Sequence, residues 1–98
     1  MSNRERVRQI CEGLKDKCVP LAPQLMLSAY INEATERDLA IAHCLGLVAT
    51  ADELLVYGEP TEGMQLEIAE ARRLEIPVVF VADAKRDDPQ AKMRAVRG

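Results

Sequence analysis

The stretch that decides the fold is residues 52–63, which read DELLVYGEPTEG. Residues 54–57 are a continuous apolar run, typical of a β-strand buried on both faces of a parallel sheet. Residues 58–63 are rich in turn formers, and Thr61 is well placed to cap a helix over residues 62–74. We therefore predict a strand, a loop and a helix in direct succession, which is the repeating unit of an α/β fold.

The rest of the chain continues this alternation. Short apolar runs predict two further strands, at residues 19–21 and 78–81, and apolar spacings of three and four predict helices at 3–17 and 35–50, with a helical turn within 24–32. Helix 35–50 carries no charge in its second half, so we expect it to be mostly buried. We predict one α/β domain over residues 1–82, with parallel strands and helices on both faces, followed by a polar tail over 83–98 that contains a short helix near 90–96.

Composition and charge exclude several classes of protein. No apolar run approaches the ~18 residues that a membrane span needs, and the charged amino terminus leads into no apolar segment, so we expect a cytoplasmic protein without a signal peptide. The net charge is −3 and the three aromatic residues are scattered, which argues against nucleic acid as a partner. The spacing of Cys11, Cys18 and Cys44 fits neither a zinc site nor a redox motif, so we expect buried thiols, no metal and no cofactor.

Chemistry is expected at the carboxyl ends of the strands, where parallel α/β sheets bind their ligands. These ends lead into loops 20–27 and 58–63. The free amides of the helical turn after Thr61 would suit an anion or a sugar hydroxyl. Gly63 in this turn either lets a ligand approach the backbone or is simply tolerated near a helix start.

Glu67 is the main candidate for a reactive side chain. On a helix it shares one side with Met64 and Ala71, and this apolar side should face the core or a cleft. Burial there would raise the pKa of its carboxyl, and a cleft carboxylate can act as a nucleophile or as a general acid or base. The alternative is that Glu67 lies at the edge of this side and pairs with Arg72 or another surface cation.

Several segments together carry a family resemblance. They are 20–25 (PLAPQL), 35–39 (TERDL), 51–58 (ADELLVYG), 61–68 (TEGMQLEI) and 76–78 (IPV). In this combination the chain resembles the nucleoside 2-deoxyribosyltransferase-like family, and more closely a largely bacterial and phage-borne branch of it, from about Arg6 to Val81. The resemblance implies a three-layer flavodoxin-like or Rossmann-like sandwich that binds a nucleoside or nucleotide at the strand ends.

The resemblance also implies site residues. In the characterised transferases, a glutamate at the place of Glu67 attacks the anomeric carbon of deoxyribose, and Asp38 matches a second aspartate on the preceding helix. Glu67 and Asp38 are therefore the expected catalytic residues. The expected ligand-binding residues are Arg37, Pro23, Tyr57, Gly58, Thr61, Glu62, Gly63 and Met64.

Two functions stay open at this point. The first is N-glycosyl transfer or hydrolysis on deoxynucleosides. The second is a catalytically inactive binding protein that acts on a protein partner or a nucleotide signal, for example a phage-borne inhibitor. This second function is open because Thr61 stands where the characterised enzymes have an aspartate.

The resemblance also implies that the first strand of the family is missing here, because the sequence starts at the helix that would follow it. In the flavodoxin-like order it would lie between the strands at 19–21 and 54–57, so its loss leaves a slot whose buried backbone groups would cost ~1 to 3 kcal/mol each if left unpaired. The slot must be closed by direct pairing, by a strand from another chain, or by the carboxyl-terminal segment folding back. We therefore expect a homodimer or larger oligomer, with the helix at 38–50 or the edge at Val19 in the interface.

Overall fold

A computed structural model describes residues 3–81 and 93–97. In chain order the described elements are α1 (Asn3–Leu14), β1 (Val19–Leu21), α2 (Pro23–Met26), a 3-10 turn (Leu27–Ala29), α3 (Arg37–Thr50), β2 (Glu53–Tyr57), α4 (Glu62–Arg73), β3 (Val78–Val81) and β4 (Met93–Arg97). None of these helices is both long and apolar enough to cross a membrane.

The sheet has strand order β1-β4-β2-β3, and every neighbouring pair of strands is parallel. On one face, Leu54 of β2 packs in a core with Val48 of α3 and Ile68 of α4. On the other face, Leu55 packs with Leu14 of α1. This confirms the predicted α/β fold as a three-layer sandwich, with α1 on one side of the sheet and α3 and α4 on the other.

The predicted strands are confirmed with small changes in their bounds. β1 and β3 coincide with the predicted ranges, whereas β2 begins one residue early, at Glu53. Helix α1 ends at Leu14, short of the expected residue 17, and the amides of Lys17 and Cys18 donate hydrogen bonds to the Leu14 carbonyl in a closing turn. Gly13, a poor helix former, directly precedes this end.

The short helix expected near residues 90–96 is wrong, because residues 93–97 form strand β4. β4 fills the slot between β1 and β2, pairing Val19 with Met93 on one side and Leu54 with Ala95 on the other. The rest of the predicted tail lies outside the described residues. Of the three expected ways to close the slot, the structure has the carboxyl-terminal one, in which β4 pairs with the backbone groups of both β1 and β2.

Asp52 anchors the start of this inserted strand. Its amide donates a 2.7 Å hydrogen bond to the Met93 carbonyl, and its Oδ2 accepts a 2.9 Å hydrogen bond from the Met93 amide. These two bonds align the first residue of β4 with the start of β2.

Helix α3 is less buried than predicted. Ala40 and Val48 are its buried residues, whereas Leu39 is 46% exposed and Ala42, Gly46 and Ala49 also face outward. The physical reason is that α3 packs with one face against the sheet and α4, and nothing in the described chain covers its other side.

Candidate functional site

The start of α4 is fixed by Thr61, as its sequence predicts. The Met64 amide donates a 3.3 Å hydrogen bond to Thr61 Oγ1, and the Thr61 amide donates in return to Met64 Sδ at 3.5 Å. Met64 is itself buried in the core beside the sheet. This reciprocal cap sets the rotation of α4, so that the next residue on the same side, Glu67, also faces inward.

A cavity of about 260 Å³ lies between α3 and α4, and we call it the Glu67 cavity. Its apolar wall comes from both helices, and its charged groups come from both helices, the loop before α3 and the end of β4. The lining residues are Glu33, Arg37, Ala40, Ile41, Cys44, Leu45, Thr61, Glu62, Gly63, Leu66, Glu67 and Arg97.

Glu67 is 2% exposed and forms an ion pair with Arg97, in which Nε and Oε1 are 2.8 Å apart. Its second oxygen, Oε2, is buried and has no hydrogen-bond partner among the described residues. Burial raises the pKa of the Glu67 carboxyl and the charge of Arg97 opposes this rise, so that the resulting pKa is about 7. The carboxyl therefore titrates near neutral pH, which suits either a nucleophile or an acid–base group.

The other polar groups of the cavity lie near its mouth. Glu33, Arg37 and Glu62 are all exposed, so their charges are screened by solvent. Cys44 is half-buried, and burial raises the pKa of its thiol, with the nearby charge of Glu67 adding to the rise. Its sulfur is therefore a protonated, weakly polar part of the wall.

The structure brings five of the predicted site residues together. Glu67, Thr61, Glu62, Gly63 and Arg37 all line the cavity. The rival prediction, in which Glu67 pairs at the surface with Arg72, is wrong, because Glu67 is buried and pairs with Arg97.

Other predicted site residues lie elsewhere. Asp38 is exposed in the first turn of α3 and is not part of the lining, although its neighbour Arg37 is. Tyr57 packs on the opposite face of the sheet, in the cluster below α1. Gly58 has φ +79°, a conformation that favours glycine, and a Cβ there would come 3.4 Å from Arg6 Nη1.

Pro23 lies in a second, wider groove of about 740 Å³, built mainly from residues 23–33 together with Arg4 and Glu36. The sequence predicts chemistry at loop 20–27 as well as at loop 58–63, but no residue of 20–27 lines the Glu67 cavity. Helix α3 forms the wall opposite α4, because the two helices pack directly against each other, and Glu33 is the residue that lines both cavities.

Sequence reasoning missed Glu33, Cys44 and Arg97 as residues of the cavity. The signal for Arg97 was indirect: a carboxylate on an apolar helix side needs a cation, and nothing in the local sequence says which one. Cys44 and Glu33 had no such signal.

Comparison with known proteins places the chain at the level of a domain family. A model of the family described as "Domain of unknown function (DUF7768)" matches residues 1–81, which include α1 to β3 and exclude β4. No curated protein and no solved structure matches the chain. Since the matched residues make up most of the sequence, the chain belongs to the DUF7768 family.

Proposed function

We propose that the Glu67 cavity binds a nucleoside or nucleotide and that the protein transfers or hydrolyses the N-glycosidic bond of deoxynucleosides, with Glu67 as the nucleophile. The observation that carries the proposal is the state of this carboxyl. It is buried at the wall of a cavity, one oxygen is paired with Arg97, and the other has no hydrogen-bond partner among the described residues. The resemblance of segment 61–68 to the deoxyribosyltransferases supplies the substrate class.

The size and lining of the cavity support a small ligand. Its volume of about 260 Å³ lies just below the ~300 to 1,000 Å³ of pockets that hold drug-sized molecules. Ile41, Leu45 and Leu66 offer an apolar surface to a base, while the carboxylates of Glu33 and Glu62 suit sugar hydroxyls.

The chemistry proceeds in two displacements. In the first, an oxygen of the ionised Glu67 forms a bond to the anomeric carbon, the bond from that carbon to the base nitrogen breaks, and its electron pair leaves with the base, which takes up a proton. In the second, water or another base attacks the same carbon, loses a proton, and displaces the Glu67 carboxylate. With a pKa of about 7, a substantial fraction of Glu67 is ionised at neutral pH.

A second candidate function is ligand binding without turnover, to sense a nucleotide signal or to engage a protein partner. Two observations favour it. The Thr61 hydroxyl accepts the Met64 amide as a helix cap, and Asp38 lies outside the cavity lining, so neither position presents a carboxylic acid to a leaving base. If the protein is an enzyme, Glu33 or Glu62 at the mouth of the cavity would have to supply the proton that the leaving base takes up.

Base release from 2′-deoxynucleosides, followed by chromatography, separates the two functions. If the protein is an enzyme, wild-type protein releases base, and Glu67→Ala releases it more than about 1,000-fold more slowly, as expected when a nucleophile is removed. Glu70→Ala is the matched control, because Glu70 lies on the same helix and pairs with the exposed Arg73. If wild-type protein releases no base but deoxynucleosides raise its melting temperature, the binding function holds, and if neither occurs, the proposal fails.

We further propose that the protein acts as a homodimer in the cytoplasm. The outward-facing apolar residues of α3 support the dimer, since an exposed patch of this kind is common at interfaces. The free thiols of Cys11, Cys18 and Cys44 fit a reducing compartment.

A further inference from the structure

Arg97 joins the site from strand β4, outside the residues that the family model matches. We propose that Arg97 is the positioning residue of the Glu67 cavity, which holds one carboxylate oxygen of Glu67 in place and leaves the other for the ligand. The catalytic meaning of this contact rests on the proposed function, but the contact itself can be tested without any substrate.

The sheet determines where Arg97 points. Along β4, side chains alternate between the two faces, so Ala95 lies in the core below α3 and α4 while Val96 lies in the core below α1. Arg97 falls on the same face as Ala95, opposite Val56 in the register. A slip of one residue would send it to the α1 face.

The anchoring of Met93 by Asp52 fixes the same register at the other end of the strand. The backbone of β4 is paired with both neighbouring strands at Arg94 and Ala95, and Arg97 itself is paired with Val56 of β2. Such a support is rigid, as a residue that orients a reactive group requires.

The charge of Arg97 gives it a second role, which is to limit the rise in the pKa of Glu67. The charged and titratable groups around Glu67 are Arg97 from β4, Arg37 and Cys44 from α3, Glu62 from α4 and Glu33 from the preceding loop. Arg97 is mostly buried and lies at 2.8 Å, whereas Arg37, Glu62 and Glu33 are exposed and screened. Without the guanidinium, burial would act on Glu67 with little opposition, and the carboxyl would stay protonated at neutral pH.

The two carboxylate oxygens of Glu67 have different surroundings. Nε of Arg97 is close to Oε1, and Oε2 is buried without a hydrogen-bond partner among the described residues. A buried carboxylate oxygen without a hydrogen-bond partner destabilises the protein unless a ligand donates a hydrogen bond to it. A sugar hydroxyl of the ligand is a donor that could supply this hydrogen bond.

Titration of Glu67 by NMR, in full-length protein with ¹³C-labelled glutamate, tests the inference directly. Glu67→Gln identifies the resonance. The expected midpoint in wild-type protein is near 7, and in Arg97→Gln it moves upward by about 1 to 3 pH units. In Arg97→Lys the midpoint should lie between those of wild-type protein and Arg97→Gln, because lysine keeps the positive charge but lacks the planar guanidinium group.

Arg72→Gln is the matched control, since Arg72 is an exposed arginine on the same helix as Glu67. Its titration should equal that of wild-type protein. An unchanged Glu67 midpoint in Arg97→Gln, or an equal shift in Arg72→Gln, overturns the inference.

A second measurement covers the case in which Arg97→Gln does not fold. In wild-type protein, the Arg97 Nε–H resonance should shift with pH at the same midpoint as Glu67 and lose this shift in Glu67→Gln. A pH-independent Nε–H resonance in wild-type protein overturns the inference.

The outcome is separable from that of the proposed function. If the titrations behave as expected but no base is released, Arg97 positions Glu67 for binding alone. If base is released, Arg97→Lys should lower kcat and move the ionisation of Glu67 in the pH profile upward, whereas a purely structural role would leave the profile where it was.

Discussion

Arg94 lies directly opposite Glu53 in the register of β4 and β2, and the two side chains form an ion pair inside the protein, with Nε 3.6 Å from Oε1. The arginine side chain is fully buried and that of the glutamate is 4% exposed. Arg97 and Glu67 form a second such pair on the other face of the sheet. Strand β4 therefore places one arginine on each face, and each arginine pairs with a buried glutamate from the residues that the family model matches.

Removing one member of the Glu53–Arg94 pair should destabilise the protein far more than removing both. Arg94→Met is expected to lower the free energy of unfolding by about 3–5 kcal/mol, because it leaves a carboxylate buried without this partner. Glu53→Leu combined with Arg94→Met should recover most of the loss. A double-mutant cycle by urea denaturation measures this, and additive effects of the two substitutions would contradict it.

Stability should depend on pH through Glu67. Its carboxyl has a pKa of about 7 in the folded protein against an ordinary value of 4.5, so the folded state binds more protons between these pH values. The free energy of unfolding therefore falls as pH rises from 4.5 to 7, by about 3 kcal/mol at 1.36 kcal/mol per pKa unit. Urea denaturation of wild-type protein and Glu67→Gln across this range measures the difference, and parallel curves would refute it.

Gly63→Ala should separate stability from ligand binding. A Cβ at Gly63 would meet no atom within 4 Å, and alanine is the better helix former, so the free energy of unfolding should rise by about 0.5–1 kcal/mol. Because Gly63 lines the Glu67 cavity, the added methyl should weaken deoxynucleoside binding, measured by calorimetry. Gly13→Ala in α1, where a Cβ is equally unhindered, should stabilise without that loss. Unchanged affinity in Gly63→Ala would show that this glycine is merely tolerated.

The exposed face of α3 should hold the proposed dimer together. Leu39→Glu places a charge on that face and is expected to give a monomer in sedimentation experiments at tens of micromolar, where wild-type protein sediments as a dimer. Met26→Glu is the control, because Met26 is similarly exposed, at 41% against 46%, and lies on α2. A wild-type monomer at this concentration would contradict the prediction.

The parts of the fold that follow from local patterns could be predicted from the sequence. The apolar run at 54–57 predicts a buried strand, Thr61 predicts the start of α4, and the spacing from Met64 predicts that Glu67 faces inward. All three are properties of neighbouring residues, which is why a single sequence suffices for them.

Strand β4 could not be predicted in this way, because its structure is imposed from outside. Residues 93–97 read MRAVR, with alanine and two arginines that favour no buried strand on their own. The unpaired edges of β1 and β2 and the carboxylates of Glu53 and Glu67 give this segment its conformation. Arg97 was missed for the same reason, since its role exists only after the strand is in place.

The central position of β4 also governs the order in which the sheet can form. β4 follows β1, β2 and β3 along the chain, yet it lies between β1 and β2. These two strands make no ladder with each other, so β1 has no partner until the last described strand arrives and the long loop between Val19 and Met93 is closed. During synthesis the nascent domain must therefore present two open strand edges, and contacts of such high sequence separation are slow to form and prone to capture by other chains.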